Sequence, residues 1–409
     1  MRVLVLNSGS SSQKSRLYEL GGTLPEQPPL PLWEAKVDWD GGQADLQVKN
    51  SRGAATRDRV TLDSRPRAIE HMLETLWGGS TSVIGSPSDI DAVGHRIVHG
   101  GQEYPEPVVV TPQVKAAIAR MSVFAPLHNR AELEGIEIIE RLAGPVLQVA
   151  VFDTGFHRHL PLCAAVYPGP YEWFAQGIRR YGFHGINHRY CADRAAQLLG
   201  RDLHDLRLVT CHLGNGCSLA AVRDGHSVDT TMGFTPLDGL MMGTRSGSLD
   251  PGILTYLLRQ GQLTGQQLDD VLNTNSGLRG ISGVSGDMRQ ILAALRGGHE
   301  RAKLAFDMYV HRLQSGIGAM VAVLGGVDAL VFTAGVGENS PEVRAAACAN
   351  LGFLGLKLDP RKNEQPRPDE DIATPDSSVR VLVVRAEEDW VIARACRNLA
   401  STGRESGQD

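Results

Sequence analysis

The feature that most constrains this chain is an internal duplication. The segment VLVLNSGSSSQKSRLYEL, starting at Val3, has a counterpart in LVTCHLGNGCSLAAVRDG, starting at Leu208. Gly9 aligns with Gly216, an offset close to half of the 409 residues. In each copy an apolar strand enters a loop of Gly, Asn and Ser. The alternating residues that follow, SRLYEL and SLAAV, predict a second strand, and the later copy adds an Asp224-Gly225 hairpin signal. Two domains are expected, because 409 residues exceed the roughly 250 to 300 that one core supports.

Loops of this composition offer little to a hydrophobic core and much to a phosphate. No G-x-x-x-x-G-K-[ST] pattern is present, so the Walker mechanism is not in use. A third loop, TAGVGENS at 333 to 340, follows the apolar strand DALVF at 328 to 332. Its glycines let backbone N–H groups approach an anion without a Cβ in the way. Any one such loop is more often a plain turn. Three of them, each at the end of an apolar strand and two related by duplication, favour a nucleotide held between two similar domains.

The remaining pattern is α/β. VRVLVV at 379 to 384 and DALVF are short continuous apolar runs, as expected for strands covered on both faces. RAIEHMLETLW at 67 to 77 predicts a helix. NRAELEGIEIIERL predicts another that starts at Asn129, since Asn129 and Glu132 have capping-box spacing and Gly144 closes it. GGTLPEQPPLPLW at 21 to 33 reads as an exposed loop and the final STGRESGQD as a disordered tail. With 41 Lys plus Arg against 46 Asp plus Glu, the net charge of -5 supplies no basic field for nucleic acid or an anionic membrane. The six cysteines lack C-x-x-C pairing and read as buried thiols of a reducing compartment. There is no signal-peptide pattern and no apolar run long enough to span a bilayer, so a cytoplasmic location is expected.

Several residues could carry chemistry. VGHRIVHGG puts Arg96 in a strand and MMGTRSGSLDPG puts Arg245 in a glycine-rich loop, where a guanidinium has room to face an oxyanion. A surface salt bridge is the default for either arginine alone. RRYGFHG adds Arg179, Arg180 and His184, and VFDTGFH ends a strand at Asp153, a common position for a catalytic carboxylate in an open α/β sheet. The pairs HRIVH, HRH and HGINH raise a metal site, but none carries the Glu of H-E-x-x-H, and HRIVHGG reads as a strand whose two histidines lie about 13 Å apart.

LNSGSSSQK, GHRIVHGG, APLHN, VFDTGFH, RRYGFHG, CHLGNG, SVDTTMGFTPLDGLMMGTRSG, SGVSGDMR and FTAGVGENSPEVR resemble the acetate kinase family, in order and across nearly the whole chain. The resemblance implies a duplicated two-domain actin-like ATPase fold of the acetate and sugar kinase, Hsc70 and actin type, with the active site in the interdomain cleft. It implies a first domain of residues 1–155 completed by 391–409, and a second of 156–390. The implied activity is reversible in-line transfer of the ATP γ-phosphoryl group to acetate, giving acetyl phosphate and ADP, with Mg²⁺ or else Mn²⁺. Two anions brought to ~4 Å repel by ~4 kcal/mol at an effective dielectric of 20, so cations must offset them. By the resemblance Arg96 binds the carboxylate, and Arg245 and His184 steady the transition state. Acetate is already ionised at neutral pH, so Asp153 reads as an orienter of arginine and of metal-bound water; proton transfer by Asp153 is the alternative.

The same resemblance gives Asn7 and Glu388 to the metal and Val98, Leu127, Phe183 and Pro236 to the acetate methyl. To ATP it gives Lys14, His212, Leu213, Gly214, Asn215, Gly216, Asp287, Met288, Arg289, Gly335, Val336, Gly337, Glu338 and Asn339. Relatives that prefer propionate tend to be smaller where this chain has Val98. A homodimer is implied. The chain departs from the family's pattern at Gln13, Ser15, Arg130, Ile186, Asn187 and Glu387, and Glu387 adds a charge beside a metal ligand. Alternatives are a kinase of propionate or another short-chain acid and, further off, an actin-like or chaperone-like ATPase that binds a protein partner, or a metal hydrolase.

Overall fold

Both duplicated segments fold as antiparallel hairpins, and each hairpin opens a sheet. The computed structural model describes residues 1–9, 12–40, 43–61, 64–124 and 126–405, without the side chains of 40, 126, 127 and 403–405. Two units are distinguished, Met1–Gly155 with Glu387–Asp409, and Phe156–Ala386.

In the first unit β1 (Arg2–Ser8) pairs with β2 (Ser12–Glu19), setting Asn7 opposite Lys14 and Ser8 opposite Gln13. β3 (Trp33–Asp40), β4 (Gln43–Asn50) and β5 (Ala55–Thr61) extend the sheet antiparallel on one side. On the other side β1 is followed by parallel β6 (Ala92–Ile97), with β7 (Val108–Val109) at the edge beyond β8 (Leu147–Phe152), giving the order β5-β4-β3-β2-β1-β6-β8-β7. Leu4, Leu6, Leu17, Trp33 and Leu46 pack with Ile69 and Met72 of helix Arg65–Glu74 and Ile138 and Ile139 of helix Pro126–Ala143. The C-terminal helix Glu388–Glu405 comes close to β6 at Gly94, where a Cβ would stand 2.4 Å from Ile392 Cγ2 and 2.8 Å from Cys396 Sγ. Only hydrogen fits at that position.

In the second unit β9 (Leu208–Leu213) and β10 (Cys217–Arg223) form the matching hairpin, followed by β11 (His226–Thr230). β12 (Ala329–Thr333) runs parallel to β9, and β14 (Arg380–Val383) parallel to β12, with β13 (Glu370–Asp371) beyond, in the order β11-β10-β9-β12-β14-β13. The sequence β2-β1-β6-β8 of the first sheet is thus repeated as β10-β9-β12-β14 in the second. The duplication extends from the loops to the sheet topology.

Three local expectations change. Helix Pro126–Ala143 starts three residues before Asn129, with proline at its first position, where the missing N–H costs no bond. Asn129 is therefore inside the helix, and its side chain holds the strand exit instead: Oδ1 accepts from His99 N at 3.2 Å and Nδ2 donates to His99 O at 3.1 Å. TAGVGENS is a short helix over Ala334–Asn339, not an open loop. The expected disordered tail is helical through Glu405, with Ser401 Oγ donating to Arg397 O at 2.8 Å; residues 406–409 lie outside the described residues. Among the described residues no helix is long and apolar enough to cross a membrane, and none of the six cysteines is in a disulfide; five are buried as expected, but Cys163, in the short helix Leu162–Ala165, is exposed.

Candidate active site

In the first unit the candidates collect at the carboxyl ends of three adjacent strands, where open α/β sheets bind ligands. Asn7 lies near the end of β1, Arg96 near the end of β6, and Asp153 directly follows β8. Arg96 donates from Nε to Asp153 Oδ2 at 3.1 Å and from Nη2 to the same oxygen at closer range. Its Nη1 makes two longer contacts, 3.4 Å each, to Asn7 Oδ1 and Ser8 O. Burial opposes the charge of Arg96, but Asp153 and Glu388 outweigh it and raise the pKa, so the guanidinium stays cationic.

Asn7 Nδ2 donates to Glu388 Oε2 at 3.0 Å and to Asp389 Oδ1 at 2.9 Å, joining the first strand to the start of the last helix. The donors here are oxygens. Asn7 Oδ1 and the Glu388 carboxylate fit a hard cation that keeps water and phosphate in its shell, after a half-turn of the Asn7 amide, and among the described residues no set of three His, Cys, Asp or Glu gathers as an all-protein cage. The extra charge of Glu387 is matched by Arg16, which lies 3.1 Å from Glu387, 3.4 Å from Asp389 and 3.4 Å from Glu34. Gln13 and Ser15 are buried and bond to each other at 3.3 Å, and Ser8 Oγ donates to Gln13 Oε1. Arg130 is exposed on its helix.

Val98 is buried, and its N–H donates to Glu132 Oε2 at 3.0 Å. Glu132 is a carboxyl that sequence reasoning took for half of a cap. Burial pushes its pKa up to about 8, against the pull of the Val98 N–H and Arg96. Lys14 is exposed on β2 opposite Asn7, and the Leu127 side chain lies outside the described residues.

In the second unit two of the candidates meet beside a third, Gly216. A Cβ on Gly216 would stand 2.7 Å from Arg245 Nη2 and 3.4 Å from His184 Nε2. Arg245 is steered by its Nη1, which donates to Pro236 O at 2.8 Å. His184 caps helix Gly185–Leu199 in the left-handed conformation at φ 56, a strained setting for a non-glycine residue. Its ring stacks on His212 at 3.9 Å, and its Nδ1 lies 2.9 Å from Ser218 Oγ. Asn187 is fully buried and bonds His212 Nδ1 at 2.7 Å, while Ile186 is buried in the same turn. Phe183 is buried and its carbonyl faces His157 Nε2 at 3.1 Å. Arg180 has a scaffold role, with Nη1 donating to the carbonyls of Thr230, Thr231 and Met232.

The nucleotide candidates form the rest of this unit's site. Gly214, Asn215 and Gly216 make the β9–β10 turn, closed by Gly214 N to Gly216 O at 3.0 Å, and Asn215 O accepts from Gly243 N at 3.1 Å. Leu213 and Met288 are buried. Asp287 caps helix Met288–Arg296, accepting from Arg289 N at 2.9 Å and pairing with the Arg289 guanidinium at 2.5 Å. Across Gly335, Val336, Gly337, Glu338 and Asn339, Arg344 donates to the carbonyls of Gly337 and Glu338 at 2.8 Å each, and Glu338 Oε1 accepts from Ala386 N at 2.9 Å. Arg344, fully buried, ends the run FTAGVGENSPEVR, and Ser218 lies in LVTCHLGNGCSLAAVRDG, but neither run marks these two residues for a role of their own.

Comparison with known proteins bears on this arrangement. The model of the Acetokinase family matches residues 2–394. An acetate kinase from Cyanothece sp. is 60% identical over 408 residues, 99% of this chain and 100% of that protein. Among solved structures, an acetate kinase from Porphyromonas gingivalis superposes with TM-score 0.88 at 40% identity, over 98% of this chain and 99% of its own. A propionate kinase from Francisella tularensis also gives 0.88, at 34% identity over 97% and 99% of the two chains.

Proposed function

The chain belongs to the acetokinase family, and from that premise we propose that it transfers the γ-phosphoryl group of ATP directly and reversibly to acetate, forming acetyl phosphate and ADP. The observation that carries this reading is the meeting of Arg245, His184 and Gly216 at the mouth of the β9–β10 turn. An ATPase that drives a protein partner has no use for a cation and a hydrogen-bond donor aimed past a phosphate turn.

Arg96 takes the acetate carboxylate. Asp153 fixes the guanidinium plane through Nε and Nη2, and the 3.4 Å contacts of Nη1 are weak enough for a carboxylate to replace. No base is needed, since acetate arrives ionised; orienting Arg96 is the task of Asp153. Val98, Leu127, Phe183 and Pro236 surround the methyl group. Arg245 and His184 donate to the equatorial oxygens of the group in flight, in a low-dielectric setting where such donors are strongest. Gly214, Asn215 and Gly216, with His212 and Leu213 before them, receive the phosphates of ATP. Gly335, Val336, Gly337, Glu338 and Asn339, with Asp287, Met288 and Arg289, receive the adenosine side, and Lys14 contacts ATP from β2. Asn7 and Glu388 would hold Mg²⁺, or Mn²⁺ in its place, which when bound offsets phosphate charge.

The protein works as a homodimer in the cytoplasm on this reading; the six unbridged thiols, five of them buried, support a reducing compartment. Incubation with ATP, Mg²⁺, acetate and hydroxylamine should yield acetyl hydroxamate. ATP hydrolysis without hydroxamate would sink the proposal and favour an ATPase. The propionate kinase among the structural relatives motivates the second reading, a preference for propionate, which the same assay across acyl acids decides.

A further inference from the structure

His184 is tied to the interior of its unit by a row of three side chains. His184 Nδ1 lies 2.9 Å from Ser218 Oγ. The same oxygen lies 2.7 Å from His188 Nε2, one helical turn further on, and His188 Nδ1 lies 2.7 Å from Thr210 Oγ1. Ser218 and Thr210 come from the paired strands β10 and β9. His188, Ser218 and Thr210 are all fully buried, and each contact along the row is direct. Burial, with His157 and His212 nearby, holds the His188 pKa well below its ordinary value, so His188 is neutral and carries one N–H.

Counting protons gives the row two directions. In the first, Thr210 donates to His188 Nδ1, His188 Nε2–H donates to Ser218, and Ser218 donates to His184 Nδ1; every short contact then has one donor and one acceptor. In the second, Ser218 donates to His188 Nε2 and His188 Nδ1–H donates to Thr210, whose own proton is left with the Ala220 carbonyl at 3.5 Å. A contact that long is at the limit of a hydrogen bond. The first direction keeps all its bonds short, and it leaves a neutral His184 with its hydrogen on Nε2, the atom beside Gly216 and Arg245 Nη2.

We propose that Ser218 and His188 are positioning residues that hold His184 as the neutral Nε2–H tautomer, so that it serves the transfer as a fixed hydrogen-bond donor and neither as a base nor as a second cation. This rests on the reading above that His184 contacts the transferred phosphoryl group. A neutral donor suits a site where Arg245 already supplies charge, because a second cation would repel it and tighten binding of ATP and ADP alike. Uniform binding of that kind does not raise the rate of the chemical step.

The test is nitrogen NMR of the imidazole rings in the intact protein, with His184 assigned by comparison with His184→Gln. The expected wild-type spectrum has a neutral His184 protonated at Nε2. Ser218→Ala should move His184 toward Nδ1 protonation and lower kcat by roughly 10-fold or more, with the KM for ATP and for acetate little changed. Ser218→Thr, which keeps the hydroxyl, should restore both tautomer and rate; it also guards against a variant that merely packs badly. A wild-type His184 found protonated at Nδ1, or charged, overturns the proposal, as does an unchanged tautomer in Ser218→Ala. A shifted tautomer with undiminished kcat upholds the relay and overturns instead the reading of His184 as a contact of the phosphoryl group.

Discussion

At the scale of single residues, two buried side chains near Arg96 differ in how far sequence could carry them. Val98 could be singled out only through the family resemblance that GHRIVHGG helps to carry, and the structure buries it. Val98→Ala should raise kcat/KM for propionate relative to acetate, since a pocket separates acids one methylene apart by only ~1 to 3 kcal/mol and the lost methyls make room. The ratio has to be measured for both acids on both proteins at saturating MgATP; an unchanged ratio removes Val98 from the acyl pocket. Glu132 was visible only as half of a capping box, because its partner, the Val98 N–H, is 34 residues away and no local pattern encodes it. Its folded pKa of about 8 lies above the ordinary value of 4.5, so between those pH values the native state binds a proton that the unfolded chain releases. Stability from this group is therefore full below about pH 4.5, falls as pH rises toward 8, and is flat above. Glu132→Gln lacks this dependence. The gap in melting temperature between variant and wild type should move in the variant's favour from pH 5 to pH 8; parallel curves would mean that Glu132 is ionised in the fold.

At the scale of elements, the buried strands were legible and the helix starts were not. Continuous apolar runs as short as VLVL and DALVF suit strands covered on both faces, and β1 and β12 are buried along nearly their whole length. The spacing of Asn129 and Glu132 is ambiguous by nature: three residues apart is a cap at a helix start and one shared face inside a helix. The turn at 334–339 has three glycine or asparagine residues in six and low helix propensity, yet Arg344 anchors two of its carbonyls from the next helix, and tertiary bonding overrides propensity. Gly94 shows the reverse conflict, since a central strand would ordinarily gain from a β-branched residue. Gly94→Val should destabilise by about 1 to 3 kcal/mol or more, as overpacking does, by forcing helix Glu388–Glu405 away from β6. Urea unfolding checks it, and a variant at least as stable as wild type would show that the helix has room to move.

At the scale of the whole molecule, the duplication in sequence and the repeated strand order express one history, and the acetokinase relatives carry the same fold at TM-score 0.88. The fold class was legible because it is written twice. The grouping of Asn7 with Glu388, 381 residues apart, could come only from resemblance, for nothing local pairs the first strand with the last helix. That pairing sets a timetable for the growing chain on the ribosome. The opening hairpin and β6 emerge early, but the helix that covers Gly94 and offers Glu388 to Asn7 is complete only 250 residues after Gly155 (405 minus 155). At roughly 5 to 20 residues per second that is a wait of about 12 to 50 s, during which residues 156–386 can complete their own sheet while the surface of β6 at Gly94 that the last helix covers stays open. Stalled chains ending after Ala386 should therefore resist protease in the later-made unit and be cut in the earlier one. Equal protection of both would mean that the first sheet closes without its final helix.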